Sequence, residues 1–344
     1  MGYPTVSVIL VNYNSKKYAE EAIDSILSQD YPKPKMQIIV VDNASSDDSV
    51  NFLKKTYGSK IELILSKTNL GFAGGNNLGF KSAKGELFLL FNIDAIAPKD
   101  FLKKIVSEIL QKDNIIAVAA FDFPPGTNLG KEKITMCYTQ TLLGSNTPRD
   151  KPGSKTLFGS GCVLLLKKNK VMPHFDEDYF MYFEDTKLGW EFNSMGYEVL
   201  LSPKCRVWHY GSAVAGKVSP LKTYYSERNR IMTLLTCYDA ATLIKLFPMA
   251  VIDFFFRVLW HLFNPKLRFS FLKAMLWDIT HLCLILKKRK EFNKLRKLKD
   301  RELFNLMSYR LFPSYRNRFK LFWNIFDFFT KSYLRLVGII TYDM

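Results

Sequence analysis

Two oxygen-bearing side chains end the apolar run Leu87-Phe88-Leu89-Leu90-Phe91-Asn92-Ile93-Asp94. The apolar residues predict a buried strand, and residues two apart in a strand point the same way, so Asn92 and Asp94 can face one site. Ligands of open α/β sheets bind at this edge, and oxygen ligands suit a divalent cation that holds a diphosphate. Taken alone, an Asn-x-Asp after a strand is also typical of a turn or a helix cap.

Strands and helices alternate in the chain before this run. Residues 6–11, 37–41 and 61–65 are rich in apolar and β-branched side chains and predict three buried strands. Two helices, ending near residues 27 and 57, are predicted between them. The order β-α-β-α-β predicts a doubly wound α/β sheet.

A glycine-rich segment at residues 69–79 follows the third predicted strand. Its glycines would let backbone approach a ligand closely, and a helix predicted over 76–84 would favour phosphate at its N-terminus. A flexible turn is the alternative. The segment matches neither a P-loop nor a dinucleotide fingerprint. Farther on, residues 121–157 are rich in Pro, Gly, Thr and Asn and are expected to form a mobile loop over the site.

Carboxylates and aromatic rings are interleaved in residues 175–185. Burial beside such rings raises a carboxyl pKa, which suits a general base, although an exposed acidic helix start is the alternative. Residues 197–201 and 207–211 predict two further strand segments. His209 lies in the second and is a candidate metal ligand or, alternatively, a structural histidine.

Charge is spread unevenly over the 344 residues. Residues 1–215 hold 25 Lys and Arg against 23 Asp and Glu, whereas residues 216–344 hold 24 against 9. The first part is typical of a near-neutral enzyme domain, and the second of a basic module for nucleic acid or a lipid surface. A hydrophobic content of 48% allows a large core.

Cysteine usage and hydropathy give expectations about the cellular compartment of the protein. The five cysteines have no metal-ligand spacing and are expected to be reduced, buried thiols in a cytosolic protein: Cys137, Cys162, Cys205, Cys237 and Cys283. We expect no signal peptide, because the first apolar run is short and lacks a basic leader. We also expect no transmembrane helix, because no apolar run reaches about 18–20 residues.

The C-terminal third predicts two amphipathic helices joined by a basic segment. After Pro248, polar residues recur every four positions at Asp253, Arg257 and His261, and a similar stripe near the end contains Asn324, Asp327, Lys331 and Arg335. Residues 287–301 between them are strongly basic. Aromatic faces beside Lys and Arg favour an interfacial module on anionic lipid, and a helical bundle is the alternative. Nucleic acid is not an expected partner, because the aromatic residues lie on helical apolar faces.

Six motifs occur together in order. They are Asn12-Tyr13-Asn14, Val40-Val41-Asp42-Asn43-Ala44-Ser45, residues 69–77, Phe91-Asn92-Ile93-Asp94, Phe180-Met181-Tyr182-Phe183-Glu184-Asp185 and Trp208-His209-Tyr210-Gly211. Over about residues 4–235 the chain resembles glycosyltransferase family 2, most closely its rhamnosyltransferase-like members. The resemblance implies a GT-A fold and an inverting reaction on a nucleotide-diphosphate sugar.

The resemblance also implies roles for individual residues. Asp185 matches the catalytic base, and Asp94 and His209 match positions that hold a divalent metal, Mg²⁺ or Mn²⁺. Positions expected to bind the nucleotide sugar are Tyr13 and Asp42 at the base, and Gly71, Asn76, Asn77, Asn92 and Asp94. Positions expected to contact or support the acceptor are Glu184, Trp190, Arg228 and Arg230. A metal would neutralise the charge that builds on the diphosphate leaving group.

The chain departs from the family pattern at three positions. Asn92 replaces the first aspartate of Asp-x-Asp, so metal affinity rests more on Asp94 and His209. Asn76 stands where many members carry Arg, and Lys187 where an acidic residue often follows the Glu-Asp pair. The Gln-x-x-Arg-Trp motif of processive members is absent, so we expect one sugar to be added per encounter.

The sequence therefore predicts a peripheral glycosyltransferase on the cytoplasmic face of the cell membrane, acting on a glycan or a lipid-linked acceptor. Residues 1–215 would form the GT-A domain, with a nucleotide-sugar half over about 1–95 and an acceptor half over about 96–215. Residues 216–344 would form the membrane-associating helical region. The alternative is a catalytically silent sugar-nucleotide-binding or scaffold protein at the membrane.

Overall fold

The computed structural model describes residues 2–130, 137–149, 155–168, 172–211, 219–311 and 320–343. The strands are β1 Val6–Asn12, β2 Met36–Asp42, β3 Glu62–Leu65, β4 Leu87–Phe91, β5 Ala95–Ile96, β6 Ile115–Phe123, β7 Cys137–Gln140, β8 Asn146–Arg149, β9 Lys155–Thr156, β10 Val163–Lys167 and β11 Glu198–His209. The helices are α1 Lys16–Leu27, α2 Ser49–Tyr57, α3 Gly71–Ser82, α4 Phe101–Ile109, α5 Glu184–Ser194, α6 Pro220–Cys237, α7 Ala240–Leu262, α8 Arg268–Thr280, α9 Leu282–Leu295, α10 Asp300–Leu303 and α11 Lys320–Leu336.

One mixed sheet forms the centre of the protein, and the α/β prediction is confirmed. Its order is β3-β2-β1-β4-β10-β6-β11-β5, and β9 pairs with β11. β3, β2, β1 and β4 run parallel, as the β-α-β pattern predicts. β10 is antiparallel to both β4 and β6, so the sheet is not parallel throughout. The ends of β1, β2 and β4 therefore lie at one edge.

Helices cover both faces of this sheet, which explains the unbroken apolar runs of its central strands. On one face, Val8 and Leu10 of β1 join a core that includes residues of α1 and α4. On the other face, Ile9 joins a core that includes residues of α3 and α5. Alternate residues of a strand point to opposite faces, so a strand that is covered twice needs apolar side chains at every position.

The glycine-rich segment is helical, and the predicted loop is wrong. α3 begins at Gly71, five residues before the predicted start at 76. A Cβ on Gly75 would lie 2.8 Å from Val11, and one on Gly79 would lie 2.4 Å from Ile9. These two glycines let the helix backbone pack directly on β1, so they serve packing between elements rather than a ligand.

Two other expectations are corrected in the second half of the domain. Residues 121–157 do not form one loop: β6 continues to Phe123, and β7 and β8 form an antiparallel hairpin. Residues 131–136 and 150–154 of that prediction lie outside the described residues. The two strand segments predicted at 197–201 and 207–211 belong to one strand, β11, whose pairing with β6 shifts register between Leu201 and Arg206.

The C-terminal helices pack with α6 at their centre, in contact with α8 and α9. The polar stripe of α7 faces inward: Asp253 and His261 are buried, and Arg257 donates hydrogen bonds to Asp253 and to Glu227 of α6. The apolar face of α7 is outward, with Phe255 59% exposed. In the helical bundle given as the alternative, the apolar faces of the helices would bury one another. α7 has the opposite orientation, with its polar face inside and its apolar face outside.

Exposed apolar side chains are concentrated in this region. Among the described residues, 22 of the 28 exposed large hydrophobic side chains follow residue 243. No single helix in the described ranges has both the length and the apolar composition to cross a bilayer, whereas α8 and α9 satisfy both together across a 67° bend. Of the cysteines, Cys162, Cys205 and Cys237 are free and buried, but Cys283 is exposed, which corrects its predicted burial.

Candidate active site

The ends of β1 and β2 hold a buried aspartate in a fixed orientation. Asn12 Nδ2 donates to Asp42 Oδ2 at 2.7 Å, and the backbone N–H of Ser45 donates to Asp42 Oδ1 at 2.9 Å. Tyr13 follows Asn12 at the same edge and is half-buried. The structure thus brings Asp42 and Tyr13, both predicted to contact the nucleotide base, to neighbouring strand ends.

The start of α3 is tied to the aromatic motif of residues 180–185. Asn43 Nδ2 donates to the Gly71 carbonyl at 2.9 Å, and Ala73 N–H donates to the Phe180 carbonyl at 3.1 Å. Gly71 has φ +69°, and a Cβ there would lie 2.3 Å from the Phe180 carbonyl oxygen. Gly71 is therefore required for close approach of protein backbone, and this contact occupies the helix N-terminus that was expected to favour phosphate.

Asn76 and Asn77 are both buried and are used inside the protein. Asn76 Nδ2 donates to the Phe72 carbonyl in the preceding helical turn at 2.9 Å. Asn77 Nδ2 donates to the Phe175 carbonyl at 2.8 Å, and Asn77 Oδ1 accepts from Phe175 N–H at 2.8 Å. Asn77 thus fixes the segment that leads to the acidic motif.

Three polar side chains meet at the end of β4 and β11. His209 Nε2 lies 3.2 Å from Asp94 Oδ1, and His209 Nδ1 lies 3.1 Å from Asp122 Oδ2. Asn92 Nδ2 lies 3.4 Å from His209 Nε2, and Asp94 is buried. The predicted pair of Asp94 and His209 is therefore brought together, and Asp122 at the end of β6 joins it.

A divalent cation would find ligands on either side of the His209 ring, but not on both sides at once. Asp94 faces Nε2 and Asp122 faces Nδ1, so beside an ion held by Asp94 and Nε2 the Asp122 carboxylate would orient the imidazole. The ligand atoms of Asp122, Cys162 and His209 also lie within 4.8 Å of one another. Burial lowers the pKa of His209, but the hydrogen bonds to Asp122 and Asp94 raise it to about 12, so the histidine pairs with the carboxylates as a cation. A metal ion would take the place of that positive charge. Burial raises the pKa of the neighbouring Cys162 thiol to about 11, so we expect Cys162 to stay protonated.

Asp185 and Glu184 form an acidic pair at the start of α5, in which Glu184 is buried and Asp185 is half-buried. Asp185 Oδ2 accepts from Gly161 N–H at 2.9 Å, and Oδ1 accepts from Thr186 N–H at 2.6 Å. Burial raises the pKa of Asp185, although these hydrogen bonds oppose the rise. Burial and the charge of Asp185 raise the pKa of Glu184 well above its usual range. Within the described residues, Glu184 Oε2 is buried without a hydrogen-bond partner.

The backbone before this pair is strained. Phe180, Tyr182 and Phe183 have φ angles of 61°, 66° and 71°. Such left-handed conformations cost about 1–3 kcal/mol each for residues other than glycine, and they persist where surrounding contacts impose them. The acidic pair therefore follows a backbone segment that needs support from elsewhere in the protein.

Two residues of α6 give that support. Asn229 Nδ2 lies 2.8, 2.9 and 2.7 Å from the carbonyl oxygens of Tyr179, Met181 and Tyr182. Arg228 Nη2 donates to the Tyr179 carbonyl at 3.0 Å. Arg228 was predicted to contact or support the acceptor, and the structure shows it supporting the motif.

A third contact comes from α9. Lys288 Nζ lies 2.6 Å from Asp176 Oδ1 and 2.6 Å from Asp178 Oδ2, with Lys288 and Asp176 largely shielded from solvent. Both aspartates precede the strained motif directly. Helices of the C-terminal third thus hold the segment that carries the acidic pair.

Two residues that the sequence associated with the acceptor, Trp190 and Arg230, lie in the core, as does Lys187, where the chain departs from the family pattern. Trp190 is fully buried, and its Nε1 donates to Gln140 Oε1 at 3.0 Å. Arg230 is buried and pairs with Glu227 and Asp253. Lys187 is buried and pairs with Glu191 within α5.

Sequence reasoning missed three residues of this site. Asp122 follows an apolar strand, which is the same signal that identified Asp94. Asn229 lies between Arg228 and Arg230, the two positions to which the resemblance gave a role. Lys288 lies in a basic run, where no spacing distinguishes it from its neighbours.

The chain was compared with known proteins. The family model of glycosyl transferase family 2 matches residues 7–174. An uncharacterized glycosyltransferase of Haemophilus influenzae is 33% identical over 34% of this chain and 36% of its own length, so the match spans about a third of that relative. A dolichyl N-acetyl-alpha-D-glucosaminyl phosphate 3-beta-D-2,3-diacetamido-2,3-dideoxy-beta-D-glucuronosyltransferase of Methanococcus voltae is 22% identical over 81% of this chain and 88% of its own.

A solved structure shows the same fold. The mannosyltransferase PcManGT from Pyrobaculum calidifontis, solved with GDP-Man and Mn²⁺, matches with a TM-score of 0.51 at 18% identity. The match covers 81% of this chain and 75% of that one. The six motifs, the sheet and these comparisons agree, although they do not confirm the rhamnosyltransferase-like subgroup. Residues 7–174 of this chain form a glycosyl transferase family 2 domain, and the sheet-based domain has the GT-A fold.

Proposed function

We propose that this protein is an inverting, non-processive glycosyltransferase that moves one sugar from a nucleotide-diphosphate donor to an acceptor hydroxyl, with Asp185 as the base. One observation carries the proposal. Residues 161 and 162 lie between the acidic pair and the candidate metal site: Gly161 N–H donates to Asp185, and the Cys162 carbonyl accepts from Asn92 N–H at 2.8 Å. A proton acceptor and a site for a diphosphate-bound metal are thereby adjacent.

The donor would lie along the edge formed by β1, β2 and β4. Asp42 is oriented by Asn12 and Ser45, and its carboxylate would accept a hydrogen bond from the nucleotide base, which would lie beside Tyr13. Asp94 and His209 would hold the divalent cation, and Asp122, on the other side of the imidazole ring, would orient His209. When bound, that cation neutralises charge on the departing diphosphate. The Mn²⁺ and GDP-Man named in the PcManGT structure support both assignments.

The transfer itself needs one base. The acceptor oxygen would attack the anomeric carbon while the bond from that carbon to the diphosphate oxygen breaks. The proton of the attacking hydroxyl would go to Asp185. A single displacement inverts the anomeric configuration, so no second carboxylate nucleophile is needed. Because burial raises the pKa of Asp185, its carboxylate is a better proton acceptor than an exposed aspartate.

The acceptor would be a glycan or a lipid-linked sugar at a membrane surface. The outward apolar face of α7 and the basic charge of the C-terminal third suit peripheral binding to anionic lipid. The inner leaflet of the cell membrane carries such lipid, so the proposal places the protein there. The dolichyl-linked acceptor in the name of the Methanococcus voltae relative supports a lipid-linked substrate.

The test is donor binding and donor hydrolysis across a panel of UDP, GDP and dTDP sugars, with Mg²⁺, Mn²⁺ or EDTA. We expect one donor to bind in the presence of metal. Asp94→Ala should abolish that binding, whereas Asp185→Asn should bind the donor without turnover. If no donor binds with or without metal, the proposal fails, and a silent scaffold at the membrane becomes the better account.

A further inference from the structure

A groove runs between the N-terminal half of α6 and α8. Its volume is about 780 Å³, and its lining is mostly apolar and aromatic, with Leu221, Tyr224, Tyr225, Leu276 and Trp277 as its main walls. Volumes of this order are typical of sites that bind small organic ligands. None of the residues given a donor-binding role lies in this lining.

One wall of the groove is in contact with the catalytic motif. The ring of Tyr225 stacks on that of Phe180, with centroids 5.0 Å apart and planes at 19°. Arg228, which supports the motif, lies with its guanidinium carbon 4.8 Å from the Tyr225 ring centre and 4.5 Å from that of Trp277. The groove therefore adjoins the segment that leads into the acidic pair.

Positive charges lie at the end of the groove next to the strained motif and along the groove wall. Lys222 Nζ lies 5.6 Å from the ring centre of Tyr182, within the strained motif. Lys273 lines the groove, and among the described residues it takes part in none of the ion pairs. α6 begins at Pro220 beside the groove, and a helix N-terminus carries partial positive charge. These features favour an anionic group next to the apolar walls.

The outer side of the groove continues into exposed apolar surface. Leu221 and Leu276 of the lining are 50% and 61% exposed. Their neighbours on α8, Leu272 and Ile279, are 48% and 73% exposed. An apolar chain could therefore enter the groove from a membrane surface along these apolar side chains, beside the exposed Lys273 and Thr280.

We propose that the α6–α8 groove binds the chain of a lipid-linked acceptor, an isoprenoid phosphate or diphosphate lipid. Its phosphate would lie toward Lys222 and Tyr182, and its terminal sugar would point to Asp185. The inference rests on the proposed function and narrows its acceptor class. A water-soluble glycan would leave the apolar walls without a ligand, whereas a charged isoprenoid lipid matches both the walls and the lysines.

The test measures binding of farnesyl diphosphate to the full chain by calorimetry, with farnesol and inorganic diphosphate as separate probes. Ser270→Trp fills the groove from α8, and Ser332→Trp places the same ring on an exposed helical serine outside it. We expect Ser270→Trp to weaken farnesyl diphosphate binding by about tenfold or more and Ser332→Trp to leave it unchanged. Lys273→Glu should weaken farnesyl diphosphate more than farnesol, with Lys266→Glu as its exposed control.

Four outcomes would overturn this inference. Equal binding by wild type and Ser270→Trp would place the lipid elsewhere. Binding of inorganic diphosphate as tight as that of farnesyl diphosphate would show that only the charge is recognised. Absence of farnesyl diphosphate binding in a protein that still binds its sugar donor would remove the groove proposal and leave the proposed function standing. A groove that seats a second copy would show instead as dimerisation that Ser270→Trp disrupts.

Discussion

Gly161 donates its backbone N–H to Asp185 Oδ2 at 2.9 Å, and there is no room for a side chain on Gly161. A Cβ there would lie 2.9 Å from the ring of Phe72. The hydrogen bond stabilises the charged form of the half-buried Asp185, which a proton acceptor needs. Since Cys162 follows directly and contacts the metal-site residues, movement at Gly161 would disturb both halves of the site.

The two acids at the start of α5, Glu184 and Asp185, should be distinguishable by the pH profiles of their variants. Asp185 must be ionised to accept a proton, so turnover should fall as the pH falls through its raised pKa. Burial and the charge of Asp185 keep Glu184 protonated to higher pH, so Glu184 is neutral while Asp185 titrates. We therefore expect Asp185→Asn to reduce kcat by about 10²–10⁴-fold and Glu184→Gln to leave the acidic limb of the profile in place.

The measurement is kcat against pH for wild type and both variants, with donor affinity followed separately. The assignment is wrong if Glu184→Gln removes the acidic limb and Asp185→Asn retains it. A stable, donor-binding Asp185→Asn protein is the required control, because loss of the fold would also abolish turnover.

Asn229 should act as a positioning residue for the acidic pair. Asn229→Ala removes the donor shared by three carbonyls of the strained segment, so that segment should relax away from its left-handed conformations. We expect kcat to fall by about tenfold or more. Donor affinity should change little, because Asn229 touches no residue of the donor edge.

The matched control is Asn193→Ala. Asn193 is also buried, and its Nδ2 also donates to three carbonyls, those of Thr156, Leu157 and Gly189. Both variants should lower Tm, but only Asn229→Ala should lower kcat in the protein that remains folded. Equal losses of kcat in the two variants would mean that Asn229 acts through stability alone.

Asp122 should contribute to metal binding, and Cys162 should not. Asp122→Asn removes one of the two carboxylates at His209 and should raise the Mn²⁺ concentration for half-maximal donor binding by about 10–100-fold. Cys162→Ser keeps the size of a side chain whose thiol stays protonated, so it should change that concentration by less than about twofold. The check is a Mn²⁺ titration of donor binding, and the reverse order of effects would indicate a thiolate ligand.

β1, β2 and β4 could be predicted because helices cover both of their faces and most of their side chains are apolar and buried. β3 lies at the edge of the sheet with both end residues exposed, and only its short apolar run identified it. The glycines of α3 could not be interpreted in the same way. Gly75 and Gly79 are small because Val11 and Ile9 lie against them, and such neighbours are fixed by the fold and not by local sequence. The same segment therefore suggested a ligand loop when it was viewed alone.

Side-chain direction limited the prediction of the site. Asp94 and His209 were found because strand ends meet at one edge of a sheet, whereas Trp190 and Arg230 lie near a motif in sequence and face the core. The stripe of α7 shows the same limit. Its periodicity gives two faces, but periodicity does not say which face is inside, and here the charged face is buried by partners on α6.

The outward face of α7 should bind lipid. Phe254 and Phe255 are 46% and 59% exposed, so replacing both with Ser should leave Tm nearly unchanged. Removing two aromatic rings from an interfacial face should weaken binding to anionic vesicles by about tenfold or more. Vesicle flotation measures this, with Leu65→Ser and Leu110→Ser as control changes at exposed positions of the sheet domain.

The dependence of binding on salt and on lipid charge distinguishes lipid binding by α7 from nucleic-acid binding by the basic residues. Binding should be stronger to anionic than to zwitterionic vesicles, and the loss in the Phe254 and Phe255 variant should persist at high salt. Binding to DNA in preference to vesicles, with a steep salt dependence that the double variant does not alter, would favour a nucleic-acid partner.

Asp278 on α8 should lower stability as the pH rises. It is buried, both carboxylate oxygens lack a hydrogen-bond partner within the described residues, and burial raises its pKa to about 8 despite the opposing charges of Arg228 and Arg230. Between about pH 4 and pH 8 the unfolded chain loses this proton and the folded chain keeps it, so the free energy of unfolding should decrease as the pH rises.

Asp278→Asn removes the ionisable group and should make the protein more stable than wild type at about pH 8. The gain should grow between about pH 5 and pH 8 by at most about 1.4 kcal/mol per pH unit. Asp253→Asn is the matched control with the opposite sign, because Asp253 is equally buried but paired with Arg230 and Arg257, and its loss leaves buried positive charge. The measurement is thermal unfolding of wild type, Asp278→Asn and Asp253→Asn across this pH range. A pH-independent difference between Asp278→Asn and wild type would show that Asp278 is ionised in the folded state throughout, with its charge balanced by the two arginines.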